Sequence, residues 1–211
     1  MPLPDPAPRR KFHNRAINCE GFAREDGLWD IEARITDTKT YAFENQWRGA
    51  IEPGDGIHDM WVRLTVDDNR VIHDVAVAMD GTPFEICPSV EPNFKALIGV
   101  RIAAGWNVAV RKRVGGTSGC THVVELLAVM ATVAFQTIGT GIARRDEWLG
   151  RDTADAPDDK TASRPAGWDP ESKGEKPKPP PLLDTCVAWG RSSPVVKRIY
   201  PEFYEESRDE D

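Results

Sequence analysis

Apolar and polar residues alternate, though not strictly, through RAINCEGFARED and GLWDIEARITDTKTY, two runs on either side of Asp26-Gly27. A turn pair of that kind between alternating runs predicts a β-hairpin. HDMWVRLTV and VIHDVAVAM alternate in the same manner and are joined by DDNR, which predicts a second hairpin. Two consecutive hairpins fit most simply into an antiparallel meander of four to six strands. Beyond Gly81 the period changes: EPNFKALIGVRIAAG sets Phe94, Leu97, Ile98, Ile102 and Ala103 on one helical stripe, so a helix is expected to pack on the sheet. WNVAVRKRVGG reads as a short fifth strand or a continuation of the helix; Val108 and Val110 alternate with Arg111 and Arg113, which favours the strand, and Gly115 and Gly116 end it. A second helix begins near Thr121 and is apolar almost all round, as suits a helix between a sheet and a partner, so a homodimer is expected.

The period then disappears. From RRDEW to KPKPPP the chain is charged and proline-rich, the composition of a linker. Apolar character returns in LLDTCVAWGRSSPVVKRIYPEFY, where Val187 and Trp189 stand before the turn GRSSP and Val195 and Val196 after it, so a last hairpin returning to the body is expected. The resulting map is an N-terminal arm over 1–14, an α+β core over 15–143, a linker over 144–180, a returning hairpin over 181–204 and an acidic tail over 205–211.

Composition narrows the function classes. Of 211 residues, 40% are hydrophobic and 29% charged, ordinary for a soluble globular chain, and the net charge of -7 implies no general affinity for nucleic acid. MPLPDPAPRRKF has no apolar core of a secretory signal, so a cytoplasmic protein is expected. The stretch Val123–Ile142 carries Glu125, Thr132, Gln136 and Thr137, a polar load that favours a buried helix over a membrane span. Cys19, Cys87, Cys120 and Cys186 form no CxxC pair; in a reducing compartment they read as buried thiols, a nucleophile or metal ligands. No GxxxxGK, GxGxxG or GxSxG motif opens a predicted element, so no nucleotide cofactor is expected.

Chemistry concentrates in GGTSGCTH. Cys120 stands directly before the first turn of the second helix, where unpaired N–H groups and the helix dipole favour a thiolate. His122 lies three residues before Glu125 on one helical face, an acid–base pair in which the carboxylate orients the imidazole. His58 with Asp59, and His73 with Asp74, open the two strands of the second hairpin. Neighbours in a strand point to opposite faces, so one member of each pair at most enters a shared pocket. Cys87 occupies a second junction at a sheet end, and Cys87, Cys120, His122 and Cys186 together supply the donor types of a divalent metal such as zinc. Trp61 and Trp106, with Arg63, are the expected wall of a substrate pocket.

GFAREDGLWDIEARITDTK, IHDMWVRLTVDDNRVIHDV, CP, LIGVRIAAGW, GGTSGCTHVVELL and LDTCVAW follow one another in an order that resembles the bacterial domain of unknown function family 2889, with GCTH its most distinctive block. That resemblance implies the extent of the core and no reaction. The element order is also similar to that of iron–sulfur scaffold proteins, a likeness of topology alone. Two functions are expected from the residues. One is a small-molecule lyase or hydrolase working by acid–base chemistry on a small aromatic or carboxylic substrate, with His122, Cys120, Glu125, His58 and Asp59 as its reactive groups. The other is a metal-holding or interaction protein with a closed Cys/His site.

Overall fold

The computed structural model describes residues 3–151, 179–180 and 182–206. They belong to two compact units, Met1–Ala154 and Asp155–Asp211. The first is an α+β unit built on an antiparallel sheet of four long strands: β1 (His13–Ala23), β2 (Trp29–Lys39), β5 (Gly56–Val66) and β6 (Ile72–Gly81), in the order β1-β2-β5-β6. A small hairpin, β3 (Phe43–Asn45) and β4 (Gly49–Ile51), interrupts the meander between β2 and β5. Asp26-Gly27 makes the first turn, with Gly27 at φ 89°, a left-handed conformation in which glycine carries no Cβ penalty.

The alternation decides which face is buried. Trp29, Ile31, Ala33 and Ile35 of β2 and Met60, Val62, Leu64 and Val66 of β5 point to the same side and are all buried. Apart from Ala33, each contributes on the order of 2 kcal/mol relative to an exposed side chain. Two helices cover this side, α1 (Trp106–Val114) and α2 (Thr121–Trp148), together with a 3-10 segment over Cys87–Leu97. The other side is polar and open to water.

Helix α2 runs the length of the sheet. Its 28 residues rise about 42 Å, close to the span of an 11-residue strand at about 36 Å. It can lie so close because glycines face it: a Cβ on Gly21 of β1 would stand 2.1 Å from Thr137 Oγ1, and one on Gly141 of α2 would stand 2.8 Å from the Trp29 ring. At its far end, the buried Arg145 donates to both oxygens of Asp68 (2.6 and 3.0 Å) and to the Gly27 carbonyl (2.6 Å), joining the two hairpin turns. By length and composition α2 is apolar enough to cross a membrane, with a mean hydropathy of 1.7 over its most apolar window. In this unit one stripe of it, Val123, Leu126, Leu127, Met130, Ala134 and Ile138, is buried in the core beneath the sheet, while 28% of that window is buried in all.

Several expectations are corrected. WNVAVRKRV forms α1 and not a strand, because Trp106, Val110 and Val114, four residues apart, form one buried stripe. The expected helix over EPNFKALIGVRIAAG is instead the 3-10 segment Cys87–Leu97, in which the interior Pro92 supplies no N–H for an i to i−4 bond. The N-terminal arm is shorter than expected, since β1 starts at His13, and α2 continues to Trp148, past the expected linker start. The rest of that linker, 152–178, and the tail over 207–211 lie outside the described residues.

In the second unit the expected hairpin is replaced by helical turns, Val187–Trp189, α3 (Pro194–Ile199) and Pro201–Phe203. Ser193 caps α3 by accepting from the Val196 N–H (3.1 Å), with Pro194 in the first helical position. This is a helix start written into a segment that composition alone reads as turn and strand.

Candidate functional site

One more step of the strand alternation carries each inner row from apolar to polar. After Ile35 the next inward position of β2 is Asp37; before Met60 on β5 it is His58; before Ile17 on β1 it is Arg15. The register places Arg15 opposite Asp37 and Asp37 opposite His58, so three polar side chains stand in one row across three strands. His13, two residues before Arg15, completes the face.

Asp37, only 2% exposed, is the centre of the cluster. Its Oδ1 accepts from Arg15 Nε (2.9 Å) and His13 Nε2 (2.8 Å); its Oδ2 accepts from Arg15 Nη2 (2.8 Å) and His58 Nδ1 (2.9 Å). Each carboxylate oxygen receives two bonds, its full ordinary complement. Burial alone would raise this carboxyl, but the bonds from Arg15 and His13, the Arg15 charge and the His58 bond together outweigh it and hold Asp37 at about 2. Because an ionised carboxylate only accepts, the His58 proton sits on Nδ1 and leaves Nε2 with its lone pair.

The start of α2 lies against this row. The His122 ring is 3.7 Å from the His58 ring, centre to centre, at 31°. Burial holds both imidazoles below their ordinary value of 6.5. For His58 the neighbouring His122 adds to that effect, and for His122 the Arg15 charge does so; the nearby carboxylates oppose it without reversing it. Both rings are therefore neutral at neutral pH. Cys120 Sγ stands 3.8 Å from His122 Nδ1 and 3.8 Å from Met60 Sδ.

The predicted site residues separate by strand phase and by partner. His58, His122 and Cys120 come together. Glu125 lies beside them but accepts from Arg15 Nη1 (2.6 Å), so it ties α2 to β1 and does not orient His122 as expected. Asp59 points to the opposite face of the sheet from His58, where Arg34 Nε and Nη2 donate to its two oxygens (2.8 and 2.6 Å). Trp61 shares that outer face beneath the Arg34 guanidinium, and Arg63 is held there by Glu32. Trp106 is a core residue whose Nε1–H donates to the Leu127 carbonyl (2.9 Å). These four therefore do not line the cluster, because strand parity or core packing turns them away.

His73 binds Asp67 at the opposite end of the sheet, beside the β5–β6 turn. Cys87 is half-buried against the core, and Cys186 is exposed in the second unit. Within the body, Cys87 does not join Cys120 and His122 among the described residues; the donors that do converge are Asp37, His58 and His122, within 4.8 Å of one another. An aromatic groove of about 440 Å3 exists elsewhere, lined by Trp47, Phe84, Glu85 and Ile86 and by none of the predicted tryptophans.

His13, Arg15 and Asp37 were not anticipated. The signal for them was phase: each is a charged or polar residue in step with the inward-facing apolar positions of its own strand, Ile17 and Cys19 on β1 and the buried Ile31, Ala33 and Ile35 on β2.

The family model described as protein of unknown function (DUF2889) matches residues 13–136, which span the four long strands and most of α2. The chain belongs to that family. No curated protein and no solved structure matches it.

Proposed function

We propose that this member of the DUF2889 family is an acid–base enzyme of hydrolase or lyase type, acting on a small aromatic or carboxylic substrate at the Asp37–His58–His122 cluster. The observation that carries the reading is the Asp37–His58 pair. A buried carboxylate fixes the imidazole tautomer, and the remaining nitrogen, held below its ordinary 6.5 first by burial, is an unprotonated base at neutral pH. Such a group contributes on the order of 100- to 10,000-fold in rate. The carboxylate strengthens as a partner when His58 becomes positively charged, so the protonated form generated during turnover is stabilised in place. His122, stacked on His58, is a second neutral imidazole for the complementary proton transfer.

A metal-holding centre is the second reading, favoured by the convergence of Asp37, His58 and His122. Against it, both oxygens of Asp37 are already filled, and the Arg15 guanidinium that fills them repels a cation. The acid–base reading needs no rearrangement of those bonds.

His58→Gln and His122→Gln, assayed against the wild type with a panel of small aromatic esters and carboxylic acids, test the two together. The acid–base reading expects turnover to fall by roughly 100-fold or more with little change in melting temperature. A metal centre expects bound zinc in the purified wild type by elemental analysis, and loss of both metal and stability in the variants.

A further inference from the structure

We infer that Cys120 is the nucleophile of this centre and that its substrates are activated acyl compounds, esters or thioesters, carried through a covalent thioester. This rests on the acid–base reading and gives it a substrate class. Three independent features of the position support it.

The first is its base. Cys120 Sγ and His122 Nδ1 are 3.8 Å apart, within reach for a thiol donor, and His122 is neutral and able to accept. The second is its place on α2. Cys120 is the N-cap residue, with extended backbone at φ −110° and ψ 130°, and its side chain makes no capping bond. Serine or aspartate there would stabilise the helix by accepting from the first turn, so the thiol forgoes a capping bond that the fold could use. The first amide paired within the helix is that of Val124, to the Cys120 carbonyl, which leaves the preceding N–H groups beside the sulfur to receive an oxyanion. The third is contrast with two of the other three thiols. Cys19, on the inner face of β1, is pushed by burial up to about 11 and stays protonated, and Cys186 is exposed with no imidazole beside it in its own unit.

The chemistry balances without a further reagent. The Cys120 proton passes to His122 Nδ1 as Sγ adds to the acyl carbon and the C–S bond forms. The carbonyl oxygen takes up negative charge at the start of α2. Collapse breaks the bond to the alcohol or thiol leaving group, which takes the proton from His122. Water then loses a proton to His58 Nε2 and adds to the thioester. The C–S bond breaks, the acid departs, and the thiolate recovers the proton from His58 through an intervening water.

The test uses the full chain, 4-nitrophenyl acetate as the probe, and peptide mapping by mass spectrometry after acid quench. In His58→Gln, whose deacylation is impaired, the acetyl group is expected to accumulate on Cys120, with a stoichiometric burst of nitrophenolate. Labelling of Cys120 should run at least about 10-fold faster than that of the more exposed Cys186, and His122→Gln should remove that advantage. Cys120→Ala should abolish the burst. Acetylation of Cys120 no faster than Cys186, or wild-type turnover in Cys120→Ala, overturns the inference; if turnover in that case still depends on His58, the acid–base reading survives it. Conversely, a Cys120 adduct that clears equally fast with and without His58 keeps the nucleophile and removes His58 from its role. Near-ultraviolet circular dichroism of each variant separates loss of chemistry from loss of fold, and Cys120→Ser, closest in shape, provides a second inactive variant.

Discussion

At the scale of single residues, the cluster makes the protein sensitive to pH in a defined direction. His58 and His122 are held below their ordinary 6.5, so in that range the unfolded chain binds protons that the folded chain does not. Their neutral burial therefore costs nothing above that value and weakens the fold as pH drops below it. Melting temperature should fall between pH 7 and pH 5, and the double variant His58→Gln/His122→Gln should flatten that slope; an unchanged slope would mean the imidazoles titrate freely. Asp37 acts lower. Its carboxylate, ordinarily 3.8 and here about 2, contributes stability that is complete above 3.8 and is lost as pH falls toward 2. Asp37→Asn leaves the partly exposed Arg15 with Glu125 alone and should cost on the order of 1–3 kcal/mol in urea unfolding, because at a buried position an amide N–H then faces donors that the carboxylate had satisfied.

Between elements, the determinant is how closely α2 lies on the sheet. Gly21→Ala inserts a Cβ into the Thr137 side chain, and the helix or the strand must move to admit it. We expect a loss of about 1–3 kcal/mol in chemical denaturation, the usual cost of overpacking. A shift of the α2 start would also disturb the His58–His122 contact, so the same variant should lower any His58-dependent activity. The opposite end of the helix is a control. Arg145→Ala removes a buried ion pair with Asp68 and the bond to Gly27, and should destabilise by on the order of 2 kcal/mol while leaving the pH dependence of the cluster unchanged, since it lies a strand length away.

For the whole molecule, the principal hydrophobic core is contributed by residues between Trp29 and Ile138, all within the unit Met1–Ala154. That fragment should fold alone with one cooperative thermal transition, and a molten, ANS-binding fragment would contradict it. Much of this unit could be read without coordinates. The strands, the Asp26-Gly27 turn and the start of α2 near Thr121 depend on local period and backbone preference, which a linear sequence carries in full. The prominence of Cys120, His122 and His58 came from residue type at element ends. What the sequence left undecided was partnership. Whether Val108 and Val110 mark a strand or a helix turned on Trp106 finding a place in the core beside Leu127. Glu125 looked like the partner of His122 until the long Arg15 side chain, arriving from β1, took it. His13, Arg15 and Asp37 entered the site only because the register of β1, β2 and β5 aligned them in one row, and that register relates residues as far apart in the chain as Arg15 and His58, which no local pattern encodes.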